Sequence, residues 1–375
     1  MSYAKLIKIF CVITAVLTVT ACGKVDTNNR VTLQESDKTI TVIDKEKDKD
    51  KASDNDTKEE NTPVVAVDKI DRYENINISA WLDESTVIVS KDNEALDKMN
   101  LLEYADAYPK SLYLYNINTK EYKLLKEQEN TNLGDAKLSA DKKHLLFSEF
   151  SLGDPAYYVM DMETLKTFVL AGENIAGAMS ADWAKNEVVG AAYSGDAYLA
   201  AADGEINVIE GLDQEGLFIV DKIKDNIYFN TAYDLSLQMF NISTKETTDL
   251  GLSDVTDVIP SPDENQILVL QNNGSKSTLT LCDANGGNAK TIATGTEIDG
   301  ISWSSDQRMA AYNLKADTNG TSVKGLYIYD MLTGDATVIA VDTESTLTAF
   351  SPSGKELIFS GWNGTSWNSS IVYLK

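Results

Sequence analysis

The chain has 375 residues, 43% of them hydrophobic, and a formal charge of −25. That length and apolar content can bury one large core without splitting into separate domains. The negative charge falls almost entirely beyond residue 62, so the globular part repels phosphate backbones and anionic headgroups, which excludes nucleic acid and favours cations or basic proteins as partners.

At the N-terminus, Lys5 and Lys8 precede the apolar run from Ile9 to Leu17. The run suits the hydrophobic region of a secretion signal and is too short to cross a bilayer comfortably. It ends in Val19-Thr20-Ala21-Cys22-Gly23, small residues before a cysteine, which resembles a bacterial lipobox. The resemblance implies a signal peptide over 1–21, cleavage before Cys22 and acylation of Cys22, palmitate included. Several acyl chains together hold a protein to a membrane where one does not. The expected location is the extracytoplasmic face of the cell membrane, or an outer membrane where one exists. Cys11 leaves with the signal, and Cys282 stands alone in the strand-like run Leu279-Thr280-Leu281-Cys282. With Cys22 lipidated, no intramolecular disulfide is left to form.

Residues 22–62 read as a lipidated cysteine followed by a charged, disordered tether. Asp44-Lys45-Glu46-Lys47-Asp48-Lys49-Asp50-Lys51 offers almost nothing to bury. A flexible chain of this length reaches roughly 35 Å, so the globular domain sits off the membrane. Val31, Leu33, Ile40, Val42 and Ile43 mark the one stretch of the tether able to form an extra strand.

Residues 63–375 carry a repeat. A bulky residue recurs about every forty residues at Trp81, Leu138, Met179, Val220, Pro260, Trp303 and Phe350, the spacing of propeller blades. Turns follow it: Ser139-Ala140-Asp141, Ser180-Ala181-Asp182, Ser261-Pro262-Asp263, Ser304-Ser305-Asp306 and Ser351-Pro352-Ser353-Gly354, residues suited to tight reversals. Second β-rich runs begin at Val87, Leu145, Val188, Ile227, Ile267, Met309 and Leu357. Third runs end in Asn116, Asp161, Asn241, Asp283 and Asp330, and fourth runs include Tyr122–Leu125 and Thr337–Ala340. The seventh unit stops at Lys375 with its fourth strand missing. The run Pro63–Asp68 is the candidate to fill that place and close the ring. The expected fold is an all-β, seven-bladed β-propeller, six or eight blades being the alternatives.

Four strands per unit, a Ser-Pro-Asp turn and an aromatic-apolar-Asp third strand resemble the PD40, WD40-like repeats of TolB-like β-propellers, over about residues 75 to 375. The fourth unit departs from the pattern, with Val220-Asp221-Lys222-Ile223 in place of the serine and proline. The resemblance implies an interaction module of the cell envelope, monomeric, binding a protein, peptide or glycan. The Ser-x-Asp-x-Gly-x-x-Trp box of sialidases is absent from the turns.

Catalytic chemistry finds little material. His144, the only histidine, sits at a turn entering a strand, no Gly-x-Ser-x-Gly elbow is present, and three cysteines cannot build a Cys/His zinc site. No catalytic residue, metal ligand or cofactor is expected. Calcium alone stays open, because Asp283-Ala284-Asn285-Gly286-Gly287 and Asp317-Thr318-Asn319-Gly320 resemble fragments of calcium loops without their full spacing. The alternative function is an extracytoplasmic polysaccharide lyase or glycoside hydrolase using carboxylates and tyrosines around the channel.

Binding material is easier to find. In a propeller the loops between second and third strands share one face with the connections between blades. Unit one has the longest such loop, Lys91 to Lys110, with Ala95–Tyr104 read as a short helix and Tyr108 beyond it. Unit seven has Gly361-Trp362-Asn363-Gly364-Thr365-Ser366-Trp367-Asn368. Ring closure makes the two units neighbours, so Tyr104, Tyr108, Trp362 and Trp367 are the expected ligand-binding residues.

Overall fold

The computed structural model describes residues 30–35, 38–43, 65–101, 104–318 and 321–375. The signal peptide, Cys22 and most of the tether lie outside the described residues. Among those described, every regular element is a strand.

The strands form seven antiparallel sheets, whose innermost strands are Ile76–Trp81, Asn132–Leu138, Asp182–Ala184, Leu217–Ile223, Val255–Pro260, Glu297–Trp303 and Leu347–Phe350. Successive innermost strands lie side by side and the last neighbours the first, which makes a seven-bladed β-propeller. Seven hydrophobic clusters fill the gaps, one between each pair of adjacent blades. This explains the second-strand sequences. A strand covered by a neighbouring blade on both faces shows a continuous apolar run rather than alternation, and Val87-Ile88-Val89, Leu145-Leu146-Phe147 and Leu357-Ile358-Phe359 are all buried.

Strand pairing corrects the repeating column in two blades. The second-strand residues Val87, Leu145, Ile267, Ala310 and Leu357 face Trp81, Leu138, Pro260, Trp303 and Phe350 as expected. In blade three, however, Val188 faces Trp183, and in blade four Ile227 faces Lys222. Ser180-Ala181-Asp182 imitates the turn of blade two, yet Asp182 is already in the strand. The reversal is made by Lys185, at φ 57°. The three tryptophans of the corrected column share one role. The indole Nε1 of Trp81, Trp183 and Trp303 donates to the carbonyl of Ala349, Lys137 and Ile259, each on the innermost strand of the preceding blade.

Ring closure is as expected, with the strand displaced. The outermost strand of blade seven is Val67–Tyr73, paired antiparallel to Trp367–Leu374 with Ile70 opposite Val372. Pro63 and Val64 lie outside the described residues, and Val65 is buried in the cluster between blades six and seven. The closing strand thus runs straight into the first strand of blade one. Two buried serines fix that seam: Ser360 Oγ donates to Ile78 O at 2.8 Å, and Ile78 N donates to Ser369 Oγ at 2.9 Å. Of the tether, Arg30–Glu35 and Lys38–Ile43 form a hairpin added to the outer edge of blade six through Thr41 opposite Val341. The expected extra strand is therefore two strands.

Candidate functional site

The two faces of the propeller differ in how they are closed. On the face of the first-to-second-strand turns, Ser139, Ser261 and Ser304 each donate to the aspartate two residues on, at 2.7 Å, and accept the backbone N–H five residues on. The turns are then tied to one another. Lys142 Nζ reaches Leu82 O, Lys185 Nζ reaches Glu264 Oε2, Lys224 Nζ reaches Asn265 Oδ1, Ser305 Oγ reaches Pro352 O and Ser353 Oγ reaches Glu84 Oε2. Lys185 can bypass blade four because that blade lacks the serine-proline turn and reverses tightly at Lys224, φ 55°.

The opposite face carries the longer loops and a cleft of about 480 Å³ on blade seven. Its walls are the connection into blade one (Arg72 to Asn75), the connection into blade seven (Asp342 to Ser345) and the loop after Trp362. Local chemistry builds each wall. Asn75 takes φ 57° and donates its N–H to Asn368 Oδ1 at 3.0 Å. Asn363 Oδ1 accepts Thr365 N, Thr365 Oγ1 and Ser366 N, an Asx turn that shapes the loop. Gly361 is required because a Cβ there would stand 2.0 Å from Glu344 O. The lining is mixed: Thr365, Ser366, Ser370, Asn363, Asn368, Glu74 and Asp342 bring hydroxyl, amide and carboxylate groups, and Tyr73, Phe359 and Arg72 bring rings and a guanidinium.

Trp362 and Trp367 belong to the same loop, ring centroids 6.3 Å apart at 64°, with Trp362 46% exposed. It is their neighbours Gly361, Asn363, Ser366 and Asn368 that line the cleft, so the rings lie on the other side of the loop. The tyrosines of blade one are elsewhere engaged. Tyr104 packs edge-on against Phe150 of blade two at 6.1 Å, and Tyr108 lies under Lys98 Nζ at 5.5 Å. Among the described residues no ring contact joins these tyrosines to the tryptophans. The helix expected over Ala95–Tyr104 is not formed among the described residues of that segment, which are turn, bend and irregular chain. Asn93 explains this: its Nδ2 donates to Ser111 Oγ and Glu127 Oε2 while its Oδ1 accepts Ala95 N. Met99, 3% exposed, then folds in with its N–H on Ala107 O. A side chain competing for the backbone in this way favours turns over helix.

Two groups escaped sequence reading. At the seam, Tyr73, Tyr115, Tyr122 and Tyr113 form a chain of ring contacts, with Lys91 Nζ 5.2 Å from Tyr113 and 5.3 Å from Tyr122. The alternation in Leu112-Tyr113-Leu114-Tyr115 is the only local signal for it. In the channel, the innermost strands of blades two to five bring together Lys137, Asp182, Asp221 and Asp257, visible only once register is known. Water reaches these groups while protein surrounds them. Enclosure pushes the Asp221 carboxyl well above the usual carboxylate range, with Asp182 and Asp257 adding to it. Asp257 is raised the same way. For Lys137 enclosure acts downward, and the 2.5 Å bond to Asp182 outweighs it. Further round, Lys324 bridges Glu297 at 2.8 Å and Asp299 at 2.6 Å, and burial lifts Asp299 to about 6.

His144 sits on the turn face with Nε2 3.9 Å from Asp161 Oδ2. Cys282 is 1% exposed, its thiol pushed up to about 11 by burial. Asp283 works as a turn residue, its carbonyl accepting Gly286 N and its Oδ2 accepting Asn288 Nδ2. Asn319 and Gly320 lie outside the described residues.

No family model matches the sequence, and no curated protein matches it. Solved structures do. The chain is similar to an oligogalacturonate lyase in complex with manganese, with TM-score 0.58 and 14% identity over 92% of this chain and 96% of that one. It is similar to an oligogalacturonate lyase from Vibrio parahaemolyticus, with TM-score 0.60 and 13% identity over 92% and 96%. It is also similar to the β-propeller domain of Cps50 (Swd1) from Myceliophteria thermophila, with TM-score 0.55 and 10% identity over 83% and 100%. For the manganese, the described residues supply no fitting donor set: no three His, Cys, Asp or Glu side chains stand together as ligands. At these identities the likeness is one of fold, and that fold is the β-propeller.

Proposed function

We propose that this chain is a membrane-anchored extracytoplasmic lipoprotein whose propeller binds an envelope protein, peptide or glycan through its loop face without catalysing a reaction. One observation carries the reading. The loop face has a cleft of about 480 Å³ bordered by three connecting segments, and the blade-seven loop that forms one of its walls also carries the exposed Trp362. The recess of similar size at the turn end of blade one, lined by Thr86, Leu114, Asn116, Glu121, Tyr122 and Lys123, has no tryptophan on its segments. A concave surface of mixed polarity beside an exposed aromatic side chain is a common makeup of a recognition site. The lipobox-like Val19-Thr20-Ala21-Cys22 supports the location.

The test replaces Trp362 and Trp367 with alanine and measures partner capture from intact envelopes together with the melting temperature. Capture should fall at least tenfold with melting nearly unchanged. A large drop in melting temperature instead makes the pair a packing element and removes the reading's support. The two lyase folds motivate a second reading, a polysaccharide lyase or glycoside hydrolase. Incubating the folded chain with oligogalacturonate and envelope polysaccharides separates the two, since turnover contradicts a binding-only role.

A further inference from the structure

Among the described residues, Tyr122, Leu124 and Val169 are exposed on outer strands and Leu332 on the turn face, but of the six large apolar side chains exposed on the loop face all except Trp362 fall on three adjacent blades. Leu152 at 51%, Met179 at 39%, Tyr193 at 48%, Phe218 at 48% and Tyr233 at 85% all lie on blades two to four. All of them occupy loops, or the strand start just after a loop, on the face that bears the cleft. Leu152, Tyr193 and Tyr233 fall between second and third strands, and Met179 and Phe218 fall where one blade leads into the next. Two of the rings are held in place. Tyr193 donates its N–H to Gly177 O at 2.9 Å and its ring lies 3.4 Å from where a Gly177 Cβ would be. Tyr233 lies over Gly216, where a Cβ would meet its ring at 2.7 Å. Glycine at 177 and 216, with φ 146° and 70°, gives both rings their seats.

The charge on the segments that carry these side chains is negative, and the nearby cations are Lys245, which reaches in to Glu210 O, and Lys276 on the next blade. The connecting segments 151–155, 170–181, 192–196, 209–216, 232–233 and 250–254 contain no lysine or arginine. They do contain Asp154, Glu173, Asp213, Glu215 and Asp254, all exposed. On blades six, seven and one, by contrast, Lys324, Arg72, Lys91 and Lys110 stand at or near the same face. Apolar rings set among a majority of carboxylates are poorly suited to an anionic lipid surface or a nucleic acid, and well suited to apolar side chains flanked by positive ones.

We infer that the loop face of blades two to four is a docking surface for a protein segment in which apolar side chains alternate with lysine or arginine. The inference rests on the reading of the propeller as a binding module and names its partner's chemistry. The apolar side chains settle against Tyr193, Tyr233 and Phe218, and the cationic ones meet Asp154 and Glu215. The rings supply contact area, and the carboxylates supply selectivity and encounter rate.

The test uses the mature chain and a synthetic twelve-residue peptide alternating leucine and lysine, read by fluorescence anisotropy. Its controls are the same peptide with every lysine acetylated, a serine-lysine peptide, and phosphatidylglycerol vesicles. The leucine-lysine peptide should bind, weaken several-fold on doubling the salt, and weaken at least tenfold in the Tyr193→Ser/Tyr233→Ser variant and in D154K/E215K. The melting temperature should hold, because the substituted side chains are exposed. Equal binding of the acetylated peptide overturns the inference, as do preferential binding to the vesicles and no binding at all. If the inference fails while W362A/W367A still abolishes capture from envelopes, the binding reading stands and only this surface is withdrawn. If the unmodified chain captures nothing, the broader reading falls as well.

Discussion

Asp221 shows how much a single side chain depends on its place in the ring. In sequence it is one of 58 acidic residues. In the fold it faces the channel beside Asp182 and Asp257, and enclosure raises its pKa well above the usual value. An acid whose folded pKa is raised holds its proton more tightly when folded. Its contribution to stability is therefore fully present at acid pH and is lost as pH climbs from the unfolded carboxylate range through the raised folded value. Asp221→Asn should raise the unfolding midpoint more at pH 7.5 than at pH 4, because the cost of ionising the enclosed carboxyl grows with pH. An equal effect at both pH values in denaturant titrations would contradict this assignment. The turn aspartates Asp141, Asp263 and Asp306 behave oppositely. Hydrogen bonds from Ser139, Ser261 and Ser304 hold them below the usual range, so their support fades only as pH falls through those lowered values.

Those serine-aspartate turns were readable in sequence because the motif is itself the interaction, donor and acceptor lying two residues apart. Asn116, Asp161, Asn241 and Asp330 were readable at the ends of third strands for the same reason, each accepting the N–H groups two and three residues on. What sequence could not supply was register. Ser180-Ala181-Asp182 has the composition of a turn, and only pairing of Asp182 with Val189 shows that it is not one. The channel groups and the tyrosine chain at the seam depend on that same missing register.

At the scale of elements, the closing strand carries the most weight. Without Val67–Tyr73, the strand Trp367–Leu374 has an open edge, and the cluster built on Val65, Ile70 and Val372 is left incomplete. Two truncations distinguish clasp from tether. A chain beginning at residue 63 should melt within a degree or two of the mature protein. One beginning at residue 75 should melt at least ten degrees lower or aggregate, as calorimetry will show. Similar melting of the two would mean that blade seven is stable with three strands. Closure was legible because the count of strands in the last unit came up one short. The exact strand was not, because Pro63–Asp68 and Val67–Tyr73 both read as β-type runs and only pairing to blade seven chooses between them.

At the scale of the whole molecule, the two faces are built differently. Hydrogen bonds from turn to turn stiffen one face, and the loops of the other are left to vary in length and composition, which is where a propeller can carry function without disturbing its core. The aromatic loop of blade seven was legible because two of the five tryptophans of the chain fall in one short glycine- and asparagine-rich segment. The expected partnership with Tyr104 and Tyr108 was not formed, since Asn93 and Phe150 draw the blade-one loop toward blade two. The most direct test of loop-face recognition is photo-crosslinking in intact cells from benzoylphenylalanine placed at Trp362 or Tyr193 on the loop face, or at Leu332, 76% exposed on the turn face. Adducts to an envelope component from the two loop-face positions and none from Leu332 is the predicted result. Adducts from Leu332 alone, or equally from all three positions, would contradict it.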